Sequence, residues 1–209
     1  MSHPVSADLP ELARLALASA RASDRPLFEI VFALDARLAR LVGGTTETML
    51  GQLRLSWWRD QLGGEGAIDR RGEPLLERID EIWGMDRTPL GQLVDGWEEF
   101  LLAEDRGWRS VAEGRAAAFV AIAGLIGSSS SDEDVDRAVR CWTFAELGRT
   151  QSKYPADEGI EHRTKLDRPM RPLAVLEGLA RRALHGGRKN LMGGRTLPFA
   201  AMRLGIFGR

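Results

Sequence analysis

The feature that most constrains this chain is an apolar stripe at helical spacing, bounded by residues that start and stop helices. Five apolar residues follow one another at intervals of four, three, four and three positions: Leu27, Val31, Leu34, Leu38 and Leu41. This spacing places all five side chains on one face of an α-helix. Asp24 and Pro26 precede the stripe as a helix cap and a first turn would, and Gly43 with Gly44 ends it. The stripe therefore predicts a buried helix.

The same combination of start residue, apolar stripe and stop residue recurs along the 209-residue chain. Further helix starts are predicted, in chain order, at Pro10, at Thr45 or Thr46, at Thr88 and at Asp132. An alanine-rich run from Glu113 to Ile126 predicts a central helix. Because no apolar–polar alternation lasts long enough to predict a strand, the predicted fold class is all-α. The length suits one domain, so we expect a single helical bundle over residues 1–209.

The C-terminal quarter of the chain is basic. Residues 149–172 are polar and interrupted by prolines, which predicts a long loop, and residues 173–209 predict a basic helical segment. From Arg163 to Arg209 there are eleven Lys or Arg and two acids, a net charge of +9 (11 − 2). Such a segment suits an anionic headgroup, a diphosphate or an acidic partner. A helix that is basic only on its solvated face would give the same composition.

Composition also excludes several classes of function. The net charge of −1 gives no nucleic-acid signature. Cys141 is the only cysteine, which excludes a disulfide framework and favours an intracellular setting. His3, His162 and His185 are too scattered for a metal-ligand spacing. The most apolar run, residues 116–126, is too short to span a bilayer, so we expect no transmembrane segment and a cytoplasmic protein, with peripheral contact at the inner membrane as an option.

Residues 23–60 carry the most specific motif in the chain. They are SDRPLFEIVFALDARLARLVGGTTETMLGQLRLSWWRD, in which the helix FALDARLARL is followed, after a loop, by LRLSWWRD. With these segments in this order, the chain resembles the squalene/phytoene synthase family. Weaker similarity continues through Pro89–Glu98, Gly114–Gly127 and Arg171–Ala183. The resemblance implies a helical bundle of the isoprenoid-synthase type, shortened at its C-terminal end.

The resemblance also implies where catalytic acids belong, and this sequence lacks them there. The family condenses prenyl diphosphates with Mg²⁺ held by two aspartate-rich motifs. At the first motif this chain has Ala39, Arg40 and Gly43, and around the second it has Glu146 alone. In this respect it is similar to the family's non-catalytic branch, which includes mitochondrial complex I assembly factors. The resemblance thus implies a pseudoenzyme without metal or cofactor that binds a protein partner, or an anionic or prenyl lipid, at the membrane surface.

Candidate ligand-binding residues are the cationic and aromatic residues of this segment: Arg37, Arg40, Arg54, Trp58 and Arg59. Exposed arginines are more often only solvated. The alternative hypothesis is a divergent prenyl-diphosphate transferase of isoprenoid biosynthesis. Its Mg²⁺ would be held by a reduced acidic set: Asp35, Asp95, Glu99 and Glu146. The two hypotheses differ in whether these acids converge on one cavity.

The adjacent tryptophans Trp57 and Trp58 cannot both lie centrally in a core, because successive helical residues point about 100° apart. Trp57 continues the face formed by Leu50 and Leu53. We therefore predict that Trp57 is the buried residue of the pair. The stripe from Leu50 to Trp57 is expected to face the Leu27–Leu41 stripe across the short loop that follows Gly43.

Overall fold

The computed structural model describes residues 9–63, 73–103, 107–148 and 164–186. The helices in these residues are α1 (Glu11–Leu17), α2 (Arg25–Gly43), α3 (Thr48–Gly63), α4 (Pro74–Ile82), α5 (Thr88–Leu102), α6 (Trp108–Leu125), α7 (Asp132–Leu147) and α8 (Arg171–His185). No strand occurs in the described ranges, which confirms the predicted all-α class. Residues 149–163 of the predicted loop and residues 187–209 of the predicted basic helical segment lie outside the described residues.

The three central residues of the apolar stripe of α2 are buried as predicted. Val31, Leu34 and Leu38 are inaccessible to solvent or nearly so, Leu27 and Leu41 at the two ends are partly buried, and ten of the nineteen residues of α2 are buried. The helix ends at Gly43, with Gly44 as its C-terminal cap. Asp24 occupies the N-cap position, but its side chain makes no capping hydrogen bond. The apolar periodicity therefore predicted the position of this helix correctly. The aspartate at its N-terminus suggested a capping hydrogen bond, which the side chain does not make.

The start of α7 follows the sequence closely. The Ser131 hydroxyl accepts a hydrogen bond from the Asp134 N–H at 3.2 Å, which satisfies one of the free donors of the first turn. Three acids, Asp132, Glu133 and Asp134, lie in that turn, where the helix dipole favours negative charge. By contrast, α6 begins at Trp108, five residues before its predicted start at Glu113.

The bundle is a series of helices packed side by side, with α2 in contact with several of them. α3 packs on α5, α5 on α6, α6 on α7, and α7 on α8. α2 contacts α4, α5 and α6, and α1 contacts both α8 and α2. Four aromatic side chains from α2, α6 and α7 meet in the centre: Phe28, Phe32, Phe119 and Trp142, with ring centroids 5.8–6.3 Å apart.

The closest helix pair, α5 and α6, is antiparallel and meets through glycines. A Cβ atom on Gly114 would lie 2.5 Å from the Gln92 carbonyl oxygen, and one on Gly96 would overlap the Ser110 carbonyl. Neither position can take a larger residue without moving the backbone of the facing helix. These two contacts bring α5 and α6 close enough to place polar side chains of both helices next to α2.

The prediction for α3 was wrong in its start and in its packing. The helix begins at Thr48 rather than at Thr45 or Thr46, and it packs mainly on α5 rather than on α2. Trp58 is only 4% exposed, whereas Trp57 is 42% exposed, so the predicted roles of the two tryptophans are reversed.

The reason for the error is that α3 has two apolar faces. The residues buried against the bundle are Gly51, Leu55, Trp58 and Leu62. Leu50, Leu53 and Trp57 form a second stripe at equally good helical spacing, and all three are exposed. The Gly51 face lies inward because Leu101 of α5 packs so closely on it that a Cβ there would be 2.7 Å from the leucine methyl. Periodicity alone could not choose between the two faces.

The different burial of Trp57 and Trp58 predicts that their alanine variants differ strongly in the free energy of unfolding. We expect Trp58→Ala to lower the free energy of unfolding by about 3–5 kcal/mol, because it removes a large side chain that is 4% exposed from the inner face of α3. We expect Trp57→Ala, as the matched control, to cost less than about 1 kcal/mol, because its side chain is already partly in water. Urea unfolding followed by far-ultraviolet circular dichroism would measure both, and equal losses would contradict the observed packing.

Candidate functional site

A groove of about 390 Å³ lies between α2, α3 and the start of α4. Its lining residues are Arg37, Leu41, Leu50, Leu53, Arg54, Trp57, Trp58 and Glu73. The volume is at the lower end of the range of about 300–1,000 Å³ found for small-molecule sites. Of the two stripes that the sequence predicted to pack against each other, the α3 stripe lines this groove with three residues and the α2 stripe with Leu41 alone.

The wall formed by α3 is apolar and largely uncovered. Leu50 is 48% exposed and Leu53 63% exposed. The Trp57 ring meets the buried Trp58 ring edge to face, with centroids 5.3 Å apart, which holds the Trp57 side chain at the wall. Each large apolar side chain that a ligand covers fully can contribute about 1.5–3 kcal/mol. The groove is therefore suited to an apolar chain.

Two arginines give the groove its charge. Arg37 of α2 donates two hydrogen bonds from Nη2 to the carboxylate of Glu73, at 2.8 and 2.7 Å, so its charge is matched within the groove. Arg54 of α3 is exposed and has no hydrogen bond or ion pair with any residue in the described part of the chain. The groove therefore combines an apolar wall with a cation, Arg54, that has no anionic partner among the described residues.

Three of the five predicted ligand-binding residues line this groove: Arg37, Arg54 and Trp58. Arg59 does not line it. Its Nε donates to Asp95 at 2.6 Å and its Nη2 donates to Glu98, which ties α3 to α5. Hydrogen bonding to Glu98, and then to Asp95, raises the pKa of Arg59 above its ordinary value. Arg40 is also not a lining residue, and its Nε donates to the Ala36 carbonyl of its own helix at 3.2 Å.

The acids of the alternative hypothesis lie elsewhere, in two groups. Asp35 is buried in the centre of the bundle, where its carboxylate accepts hydrogen bonds from Arg115 Nε at 3.0 Å and Nη2 at 2.7 Å. Glu146 of α7 accepts from Nη1 of the same arginine at 2.7 Å. Asp95 pairs with Arg59 on the surface of α5, and Glu99 is exposed on the same helix.

Arg115 is the central residue of this buried network. Its side chain is 2% exposed, and its guanidinium lies 4.1 Å from the centroid of the Trp142 ring. Trp97 completes the network by donating its indole N–H to Asp35 at 2.8 Å. Burial by itself would lower the pKa of Arg115, but the attraction of Asp35 and Glu146 outweighs it and raises that pKa above its ordinary value. The guanidinium is therefore a permanent buried cation.

The network does not fit a Mg²⁺ site. Asp35 and Glu146 do converge, but the group between them is the Arg115 cation, which bonds both oxygens of Asp35 and one oxygen of Glu146 where a metal would need free ligands. Within the described ranges, no group of three or more His, Cys, Asp or Glu side chains is arranged to hold a metal ion. The arrangement is one guanidinium shared by two carboxylates, and it links α2, α6 and α7.

Arg115 is not among the residues that the sequence patterns singled out. A signal was present, since Arg115 is the only charged side chain in the sequence GRAAAFVAIAG, residues 114–124. A charged residue within an apolar helix is rarely buried unless it is paired. That rule predicts a partner for Arg115, but the distance of eighty positions to Asp35 leaves its identity open without the fold.

Comparison of the chain with protein-family models, with curated proteins and with solved structures finds no match. The resemblance of residues 23–60 to the squalene/phytoene synthase family therefore remains a prediction from the motif.

Among the described residues, no helix is both long enough and apolar enough to cross a membrane.

The Arg115 network generates a prediction about stability. We expect Arg115→Met to lower the free energy of unfolding by about 3–5 kcal/mol, because it leaves the Asp35 carboxylate buried without its cation. We expect the double variant Asp35→Asn/Arg115→Met to be more stable than the sum of the single losses implies, by about 0.5–3 kcal/mol. A double-mutant cycle by urea unfolding measures this coupling, and additive losses would contradict a direct ion pair.

Cys141 generates a prediction about pH. The side chain is fully buried, and burial raises the pKa of its thiol to about 12, with Glu177 acting in the same direction and Arg181 against it. The thiol of the unfolded chain has a pKa of about 8.5. The contribution of Cys141 to stability is therefore complete below about pH 8.5 and is lost as the pH rises towards 12, by up to about 1.4 kcal/mol per pH unit.

The measurement compares the wild type with Cys141→Ala in urea unfolding at pH 8 and at pH 10.5. We expect stability to fall more steeply with pH in the wild type than in the variant, because only the wild type releases the thiol proton on unfolding. The comparison of slopes cancels other groups that titrate in this range. Parallel slopes would show that Cys141 is accessible to solvent in the folded protein.

Proposed function

We propose that this protein is a non-catalytic helical-bundle protein that binds an anionic amphiphile, a prenyl or acyl chain with a phosphate head, in the groove between α2 and α3. The observation that carries the proposal is the uncovered apolar wall of α3 beside Arg54, a cation without a partner in the described residues. A soluble bundle gains no stability from leaving such a stripe in water, so a ligand that covers it is favoured.

The chemistry of the groove favours an anionic head over a neutral one. Arg37 is already neutralised by Glu73, so a neutral apolar ligand would leave Arg54 facing solvent without an anion. A phosphate can accept two hydrogen bonds from one guanidinium, which gives both affinity and orientation. The apolar chain would then lie along Leu41, Leu50, Leu53 and Trp57.

The absence of turnover is part of the proposal and is supported by the buried network. Departure of a diphosphate needs cations at the leaving group and carboxylates to hold them. In this chain Asp35 and Glu146 are held by Arg115, and Asp95 by Arg59. Binding without reaction agrees with the expectation from the motif, where Ala39, Arg40 and Gly43 stand in place of acids.

The test is a titration with farnesyl phosphate below its aggregation concentration, followed by tryptophan fluorescence. We expect saturable binding whose signal is lost in Trp57→Phe. Arg54→Gln should weaken binding about fivefold, which corresponds to about 1 kcal/mol for an exposed charge. Leu50→Ser should weaken it by a similar factor, whereas the matched control Leu125→Ser, an exposed leucine on α6, should bind as the wild type does.

Two results would contradict the proposal. If Leu50→Ser and Leu125→Ser bound equally well, the groove would not be the site. If farnesyl diphosphate with Mg²⁺ released diphosphate in a reaction that Asp35→Ala or Glu146→Ala abolished, the alternative of a divergent prenyl-diphosphate transferase would be correct. We expect no release above background.

A further inference from the structure

Glu73 is the only acid among the described residues that line the groove. It occupies the N-cap position of α4, but its side chain makes no capping hydrogen bond with that helix. Both of its carboxylate oxygens instead accept hydrogen bonds from Nη2 of Arg37, and the side chain is 16% exposed. An acid at the start of a helix ordinarily accepts from the free N–H groups of the first turn. This carboxylate therefore serves the arginine of the groove rather than the helix that it precedes.

Arg37 keeps part of its hydrogen-bonding capacity in spite of this pair. A guanidinium donates from Nε and from both Nη atoms. Within the ranges that the structure describes, Glu73 accepts from Nη2 only, and Nε and Nη1 of Arg37 make no hydrogen bond. The side chain is 43% exposed. An anion in the groove can therefore reach Arg37 as well as Arg54, but at Arg37 it meets a cation whose charge is already matched.

The charges of the described lining residues favour a head with one phosphate. Arg37, Arg54 and Glu73 sum to a net charge of +1 (2 − 1). A phosphate head carries about −1.5 to −2 at neutral pH, and a second phosphate adds further negative charge. Arg54 can neutralise most of the charge of the first phosphate. The second would have to lie near Arg37 and hence beside the Glu73 carboxylate, where like charges repel.

We propose that Glu73 is the residue that determines head-group specificity in this groove: by matching the charge of Arg37, it admits amphiphiles with a single phosphate and disfavours those with a diphosphate. The inference rests on the proposed function, because it specifies the head of the amphiphile bound there. Specificity often depends on an unfavourable contact with the wrong ligand rather than on an extra contact with the right one. Here that unfavourable contact is the repulsion between Glu73 and a second phosphate.

A purely structural role for Glu73 makes a different prediction. The ion pair also joins the start of α4 to α2, and these two helices are in contact. Loss of such a tie would lower the folded fraction and thereby weaken the apparent affinity for every ligand by the same factor. The informative quantity is therefore the ratio of two dissociation constants measured on one protein, because a change in the folded fraction cancels from it.

The experiment titrates the full-length chain with farnesyl phosphate and with farnesyl diphosphate, each below its aggregation concentration, with a chelator in place of Mg²⁺ and at one ionic strength. Tryptophan fluorescence reports binding. Glu73→Gln removes the charge but keeps an oxygen that can accept from Arg37. We expect the wild type to prefer farnesyl phosphate by about threefold and Glu73→Gln to prefer the diphosphate by about threefold, a change of about tenfold in the ratio.

Two further variants assign the effect to the Arg37–Glu73 pair. Glu81→Gln is the matched control, because Glu81 is also an ion-paired acid of α4, with Arg78 at 3.1 Å, but does not line the groove. It should keep the wild-type ratio. The double variant Glu73→Gln/Arg37→Gln leaves Arg54 as the one charge of the described lining, which restores the net charge of +1. Its ratio should return to that of the wild type.

The outcomes separate this inference from the proposed function. If farnesyl phosphate binds but Glu73→Gln has the same ratio as Glu81→Gln, the proposed function stands and the role given to Glu73 is wrong. A wild-type preference for the diphosphate would also overturn that role, as would a double variant that keeps the ratio of Glu73→Gln. If neither ligand binds the wild type, the proposed function is wrong and this inference falls with it.

Discussion

The ion pair between Arg115 and Asp35 is the interaction on which the arrangement of this bundle depends. A guanidinium that is 2% exposed has lost nearly all of its hydration, and only well-placed acceptors can offset that cost. The acceptors come from different helices: Asp35 from α2, and Thr143 with Glu146 from α7. Trp97 of α5 is fixed to the same carboxylate. One cation on α6 thereby specifies the positions of three neighbouring helices, because any shift would leave a buried charge unpaired.

The same network determines what the centre of the bundle can do. Carboxylates facing a cavity could hold a metal, but here an arginine lies between them and an aromatic ring covers its face. Phe32 and Phe119 pack against that ring, and Phe28 packs against Phe119. The Arg115 network therefore fills the centre, and the open groove lies outside it, between α2 and α3.

α3 is apolar on two sides, one of which packs on the bundle while the other is exposed at the groove. Its inner side is held by Leu101 against Gly51 and by the pairing of Arg59 with Asp95 and Glu98. Its outer side then has no helix left to cover it within the described part of the chain, since α2 touches α3 only lightly. The exposed stripe is thus a consequence of how the inner side is packed, and it supplies the apolar wall of the groove.

The sequence by itself determined the local structure, because helix periodicity, glycine stops and first-turn residues act within a few positions of one another. It correctly predicted the all-α class, the buried stripe of α2 with its end at Gly43, and the start of α7 at Asp132. It also gave three of the groove residues, since Arg37, Arg54 and Trp58 belong to the motif. Only the tertiary structure decided which face of α3 lies inward, and that Asp35 is the partner of Arg115. Both depend on contacts between residues far apart in the chain, and a spacing pattern states where a side chain lies on its helix but not which helix comes to meet it.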